Sequence, residues 1–407
     1  MNQALPSRED GEELSEDDVD DLVGSESERD AGAVPLDSLR QAVVTGTDWT
    51  VATLVDQLRR GNIDLAPNFQ RRGVWQQSRK SRFIESLVLG LPIPQIVLAE
   101  KPGERGRFIV LDGKQRLLSI RQFCAEPDTF EQDAGFTPTK LDKLTLLPFL
   151  KGKTYQDLRD EPGLADYRDA FDNNPVRTVI VRNWPSPDYL YLVFLRLNTG
   201  SVPLSPQELR QALQPGPFTE FVERRSLESR PLQRALNLKG PDFRMRDTEI
   251  LLRAIAFDTR SESYSGNMKL FLDDTCEAFN RSWSSDEAAL ELAVNELEAA
   301  IQVAIDIFGE RNAFSRYTDG MPERRFNRAV FDVLVHSFRQ PAVAIAARDR
   351  ARDIVAAFAD LCASDPEFVQ SIATTTKSSE ATRYRFQTWA GVLSDLIGIG
   401  VQPPTFR

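Results

Sequence analysis

The sequence predicts an α+β fold: a mixed α/β region over about 34–200, followed by a mostly helical region over 201–407. Three observations support it. Strand-length apolar runs bounded by turn residues cluster before residue 200. Beyond that point apolar residues recur at helical spacing, most clearly at Leu290, Val294, Leu297, Ile301 and Ile305. The chain is also long enough, at 407 residues, for two cores.

Taken in order, residues 1–33 are expected to form a disordered acidic tail. Residues 1–31 hold twelve acidic residues against two basic ones, so the net charge of −11 belongs almost wholly to this stretch and the body is nearly neutral. A solubilising extension is the favoured role, with mimicry of nucleic acid over a basic groove as the other. Folded structure is expected from about Val34. Val51, Leu54, Val55 and Leu58 mark one helix face that stops at Gly61. A second helix is expected over Ser78–Leu89, with Phe83, Ile84, Leu87 and Val88 buried and Gly90, Pro92 and Pro94 ending it. Residues 95–99 and 107–111 read as strands around a Pro-Gly turn, residues 115–124 as a helix, and residues 177–181 as a further strand. In the second half, a helix over 286–308 is expected to start at a Ser284–Glu287 capping box and stop at Gly309.

Composition excludes several classes of function. No apolar run reaches the roughly 18 residues of a membrane span, and the acidic start is unlike a secretory signal. Cys124, Cys276 and Cys362 are scattered, which argues against a zinc site or disulfide framework and for a reduced, cytoplasmic setting. The single histidine, His336, rules out a histidine-rich metal site or a two-histidine nuclease centre within the chain. It lies in an apolar helical pattern and reads as structural.

The segment best suited to chemistry is Asp112-Gly113-Lys114-Gln115-Arg116, between a strand and a helix. Gly113 permits a tight turn or a close ligand, and the helix start behind it favours an anion. Lys114 and Arg116 add positive charge, and Arg116 has two donors for a phosphate. Gln115 can orient a water or a phosphate oxygen. Asp112 can act as a base or take Mg²⁺ alongside phosphate oxygens. The plainer reading is a capped strand-to-helix turn, with Asp112 as the cap and Arg116 on the surface.

Two other stretches carry polar groups. In Pro67–Trp75, Gln70 and Arg71 are candidate phosphate contacts and Trp75 reads as a core anchor. In Phe194–Gly200, Asn198 is a candidate contact, while Ser205, Pro206 and Glu208 read as a capping box opening the next helix. Gly152-Lys153-Thr154 is not a P-loop, because position 147 is Leu where that motif needs Gly. It reads as a turn before a helix at Tyr155.

At these residues the chain resembles the family of GmrSD-type restriction enzyme N-terminal domains (DUF262). The resemblance runs over about 50–210, through Asn68-Phe69-Gln70-Arg71, Phe83–Leu87 with Gly90–Pro94, Val110–Leu117, and Phe194–Gly200 with Glu208-Leu209-Arg210. The resemblance continues through Glu249–Arg253 and Phe326–Asp332. The family implies a ParB/sulfiredoxin-like α/β fold, a nucleoside triphosphate (NTP) as substrate or ligand, and a link to restriction of modified or phage DNA. On that resemblance Asp112, Gln115 and Arg116 are the expected catalytic residues. Gly113, Lys114, Gln70, Arg71 and Asn198 are the expected nucleotide contacts, with Mg²⁺ at Asp112. Lys114 departs from the family's glutamine at its position. The lone histidine departs from the HNH nuclease domain that many members carry, so an expected partner is a separate nuclease or modification-sensing protein. Duplex DNA and a homo-oligomer are also expected partners, and a membrane is not. Two other functions stay open: a ParB-like DNA-binding or nicking protein, and a non-catalytic interaction module.

Overall fold

The computed structural model describes residues 39–65, 75–133, 136–197, 205–242, 244–373 and 378–406. The acidic stretch 1–33, Gln70, Arg71 and Asn198 lie outside the described residues.

The fold is α+β. Its sheet consists of β1 (Val43–Thr50), β2 (Ile63–Asp64), β3 (Ile96–Glu100), β4 (Phe108–Asp112) and β5 (Pro175–Arg182). The strand order is β1-β5-β3-β4-β2. β1 and β5 are antiparallel, as are β3 and β4, whereas β3–β5 and β2–β4 are parallel. The central position of β3 explains its unbroken apolar run. Ile96 and Leu98 join the core on one face, and Val97 and Ala99 join the core on the other. A strand covered on both sides has no solvent face to alternate with. The edge strand β1 was missing from the sequence expectation. Its Val43 and Val44 are both exposed, so the alternation that marks a half-buried strand is weak.

One face of the sheet carries α1 (Val51–Arg59), α2 (Gln77–Val88), α3 (Lys114–Phe123), α4 (Tyr155–Asp160) and α5 (Ala165–Asn173). The expected stripes of α1 and α2 are buried there. Glu85 of α2 is buried for a separate reason. Its carboxylate accepts hydrogen bonds from the backbone N–H groups of Thr145, Leu146 and Leu147, at 3.3, 2.7 and 2.6 Å, and so ties down that loop. Gly152 and Lys153 do precede a helix, which opens with a Thr154–Asp157 capping box. The other face carries α6 (Pro187–Leu197) and α7 (Pro206–Leu213).

The second core is helical. It gathers α8 (Pro217–Glu228), α9 (Arg230–Ala235), α10 (Arg246–Arg260), α11 (Met268–Phe308), α12 (Arg328–Phe338), α13 (Pro341–Asp349), α14 (Ala351–Ser364), α15 (Pro366–Ala373) and α16 (Ser379–Ile397). One expectation fails here. Ser284 and Glu287 do not start a helix, because α11 runs unbroken for 41 residues from its Asn267 cap to Gly309. Nearby serines satisfy themselves within the helix: Ser282 Oγ donates to the Ala278 carbonyl at 3.0 Å and Ser285 Oγ to the Ser282 carbonyl at 2.7 Å. Such bonds let serine sit mid-helix, so the cap signature misleads.

Candidate functional site

The site begins where β4 delivers Asp112 to the sheet edge and the chain turns into α3. Gly113 makes that turn at φ 95°, in the left-handed region, and serves as the N-cap without any capping side chain. A Cβ there would lie 3.1 Å from Ile96 Cγ1 and 3.2 Å from Arg116 Nη2. Both the backbone conformation and the space therefore call for glycine.

The Asp112 carboxylate is held from two sides. Oδ1 accepts from Gly113 N at 2.7 Å and Oδ2 from Arg116 Nη2 at 2.8 Å. The same Nη2 donates to the Gln95 carbonyl at 2.9 Å, at the foot of β3. Arg116 is buried rather than on the surface, and Asp112 does not cap the helix, so the plain capped-turn reading fails. That reading puts Arg116 on a solvated helix face. One turn into a helix packed on the sheet, the arginine has only the strand ends to bond. Arg116 Nε is also buried and has no partner among the described residues.

Lys114 is buried as well, and its charge reaches Glu208 of α7. Around them are buried Ser205, Asp242 and Arg244. Burial pushes the Glu208 carboxyl above its ordinary range, opposed by the Lys114 charge, a hydrogen bond from Ser205 N and the Arg244 charge. Burial likewise pushes the Arg244 guanidinium down, against Glu208 and Asp242. The expected capping box is present too: Ser205 N donates to Glu208 Oε2 at 2.7 Å, and Glu208 N donates to Ser205 Oγ at 3.1 Å. Ser205 Oγ then donates to the Arg244 carbonyl at 2.6 Å. Asp242 orders the turn into α10 by accepting from Arg244 N at 2.8 Å and Arg246 N at 3.2 Å.

Five of the expected site residues, Asp112 to Arg116, thus share one strand–helix junction. The sequence marks Glu208 as a helix cap in an interdomain stretch that can also contribute to the site, and it marks neither Asp242 nor Arg244. Glu208 had a signal, since it stands in a motif block beside a second polar stretch. Asp242 and Arg244 had none. His336 is structural. Its ring meets Phe386 edge-on at 5.6 Å, its Nε2 lies 3.1 Å from the Gln402 carbonyl, and burial pushes its pKa down to about 4.

For a metal, the described residues offer no cluster of three or more His, Cys, Asp or Glu side chains suited to an ion. Asp112 is a single carboxylate with both oxygens already accepting hydrogen bonds. That donor set fits Mg²⁺ only as an ion carried by phosphate oxygens and water, with Asp112 at its margin.

Residues 51–214 match the family described as GmrSD restriction endonuclease, N-terminal domain. No curated protein and no solved structure matched the chain. No helix among the described residues is long and apolar enough to cross a membrane.

Proposed function

With residues 51–214 forming a domain of the GmrSD N-terminal type, we propose that the chain is a nucleotide-binding phosphohydrolase or nucleotide sensor in restriction-type, DNA-directed defence. The observation that carries this reading is the junction of β4 and α3. There an uncapped helix start opens on Gly113, beside Lys114 and a carboxylate fixed in place by Arg116. The positive end of such a helix favours phosphate oxygens.

In this reading the triphosphate lies over the first turn of α3. Lys114 draws the phosphates in while Glu208 holds its ammonium at the seam. Asp112 accepts the proton of the attacking water, and Gln115 orients that water. Arg116 is a positioning residue, because both its described side-chain bonds fix the Asp112 carboxylate against Gln95. Gln70, Arg71 and Asn198 are the further phosphate contacts. A divalent cation riding on the triphosphate supplies charge neutralisation, and positioning and electrostatics supply most of the rate. HNH-type cleavage of DNA falls to a partner nuclease, since the chain has one histidine.

The lock between Asp112 and Arg116 favours one other reading, a non-catalytic interaction module. Phosphate release separates the two. Purified protein with Mg²⁺ and each common NTP, with and without duplex DNA, is expected to release phosphate. Asp112→Asn and Arg116→Ala, checked for folding, are expected to lower the rate about 100-fold or more. Arg116→Lys, which keeps the charge but loses the fork, is expected to fall between. Absence of turnover under every condition overturns the hydrolase and leaves nucleotide binding to be measured directly.

A further inference from the structure

A cavity of about 630 Å³ opens between the start of α2, the C-terminal half of α3 and the loop 137–152. Gln122 on its wall is eight residues along α3 from Lys114, about 12 Å at the helical rise. It is therefore separate from the Gly113 turn. Its charged lining is Lys80, Lys140 and Lys151 against Asp142 alone.

None of the three lysines makes an ion pair with another described residue. Lys80 Nζ donates to the neutral Gln122 Oε1 at 2.8 Å, and burial pushes its ammonium below the usual lysine range. Lys140 and Lys151 stand exposed on the rim. α2 begins at the groove with no capping side chain and no acidic residue in its first turn. The opposite wall is held in place. Glu85 binds three backbone N–H groups of residues 145–147, Ser81 Oγ accepts from Asp142 N at 2.9 Å, and Gln77 Nε2 donates to the Lys140 carbonyl.

This is a preformed groove whose cations make no ion pair among the described residues. Its chemistry favours an extended phosphodiester over a compact triphosphate. Terminal phosphates are usually cradled by converging backbone N–H groups. Here the amide of the groove's glycine, Gly152, is already bonded to the Leu141 carbonyl at 2.7 Å. What remains is three point charges, one on α2 and two spaced along the facing loop, the way proteins track a nucleic-acid backbone.

We propose that the groove of Lys80, Lys140 and Lys151 binds the phosphate backbone of duplex DNA without reading its sequence. The proposal rests on the DNA-directed part of the functional reading and on none of the chemistry at Gly113. The test is fluorescence anisotropy of a short labelled duplex with the full chain, titrated across a salt series. Each phosphate contact contributes about 0.9 to the slope of log affinity against log salt. The Lys80→Gln/Lys140→Gln/Lys151→Gln variant is expected to lose about 2–3 from that slope and to bind about 10- to 100-fold more weakly near 0.1 M salt. Lys140→Glu/Lys151→Glu spares the Lys80–Gln122 bond and is expected to weaken binding at least as much. It keeps the result readable if the triple variant folds poorly. Phosphate release without DNA is expected to be unchanged in both. Wild-type affinity and slope in both variants overturn the groove while leaving the DNA reading standing. Failure of the wild-type chain to bind duplex at low salt overturns both. Displacement of the duplex by an equimolar amount of tripolyphosphate overturns the choice of an extended backbone.

Discussion

Glu208 shows how one residue can be legible in part. The Ser205–Glu208 spacing announces a helix start, and the helix starts there. The spacing says nothing of Lys114, which reaches the same carboxyl from 94 positions away through the packing of α7 against β4, the strand that leads into α3. Local signals were readable because they are satisfied locally, and the charge partner was not because it is set by tertiary contact. His336 illustrates the opposite case, since its apolar helical neighbours alone marked it as structural. Its lowered pKa, about 4 against 6.5, gives a signed prediction. The folded protein favours the neutral ring, so its contribution is fully present above about pH 6.5 and is lost as pH falls through 4. Asp258 and His336 line one cavity, and the Asp258 carboxyl is pushed up to about 6 by burial, so it works in the opposite direction over this range. Comparison with His336→Gln isolates the ring, because glutamine can still bond the Gln402 carbonyl. The stability advantage of wild type over His336→Gln is expected to shrink by about 2 kcal/mol between about pH 7 and pH 4, allowing for the partial exposure of the ring. Urea unfolding across that range measures it, and an advantage that does not change with pH means the ring titrates normally in the fold.

At the scale of elements, strands and helices with strong periodicity were readable to within a residue or two. The exceptions have physical causes. β1 lies at an edge with no well-covered face, and the first half of α11 carries serines and acids that imitate a helix start. Least legible were the pairings between elements. Arg253 of α10 grips Asp332 of α12 through Nε at 2.8 Å and Nη2 at 2.6 Å, and Arg385 of α16 approaches the same carboxylate at 3.5 Å. All three side chains are almost fully buried, and burial pushes the Arg385 guanidinium down to about 10. One carboxylate is therefore shared by two buried cations at the meeting of three helices. Asp332→Ala strands both arginines and is expected to cost about 3–5 kcal/mol, most of it the penalty of unpaired buried charge. Arg385→Met removes the surplus cation instead, and is expected to cost much less or to stabilise. Chemical denaturation of the two variants decides the point, and equal losses would mean that lost packing, rather than unpaired charge, sets the cost.

At the scale of the whole molecule, the candidate site depends on how the sheet layer meets the helical body. Lys114 belongs to the first, Arg244 leads into the second, and Glu208 stands between them. Beside that seam Asp273 of α11 accepts from Arg210 Nε of α7 at 2.6 Å and from Lys269 Nζ at 2.8 Å. Lys269 also reaches Asp188 of α6 at 2.8 Å. Arg210 and Lys269 are buried, so each depends on the carboxylates of this clasp to offset its charge. Asp273→Ala touches none of the residues assigned to the chemistry, yet leaves two buried cations short of a carboxylate. It is expected to cost about 3 kcal/mol and to separate the two cores in their opening. Amides of β3, β4 and β5 should then exchange hydrogen earlier than those of α11, where in the wild type they open together. Phosphate release should fall with it, because Lys114 and Arg244 are brought to Glu208 from opposite sides of the seam. Hydrogen exchange that keeps both cores in step, together with unchanged turnover, would show that apolar packing joins the two layers and that the clasp only sets their register.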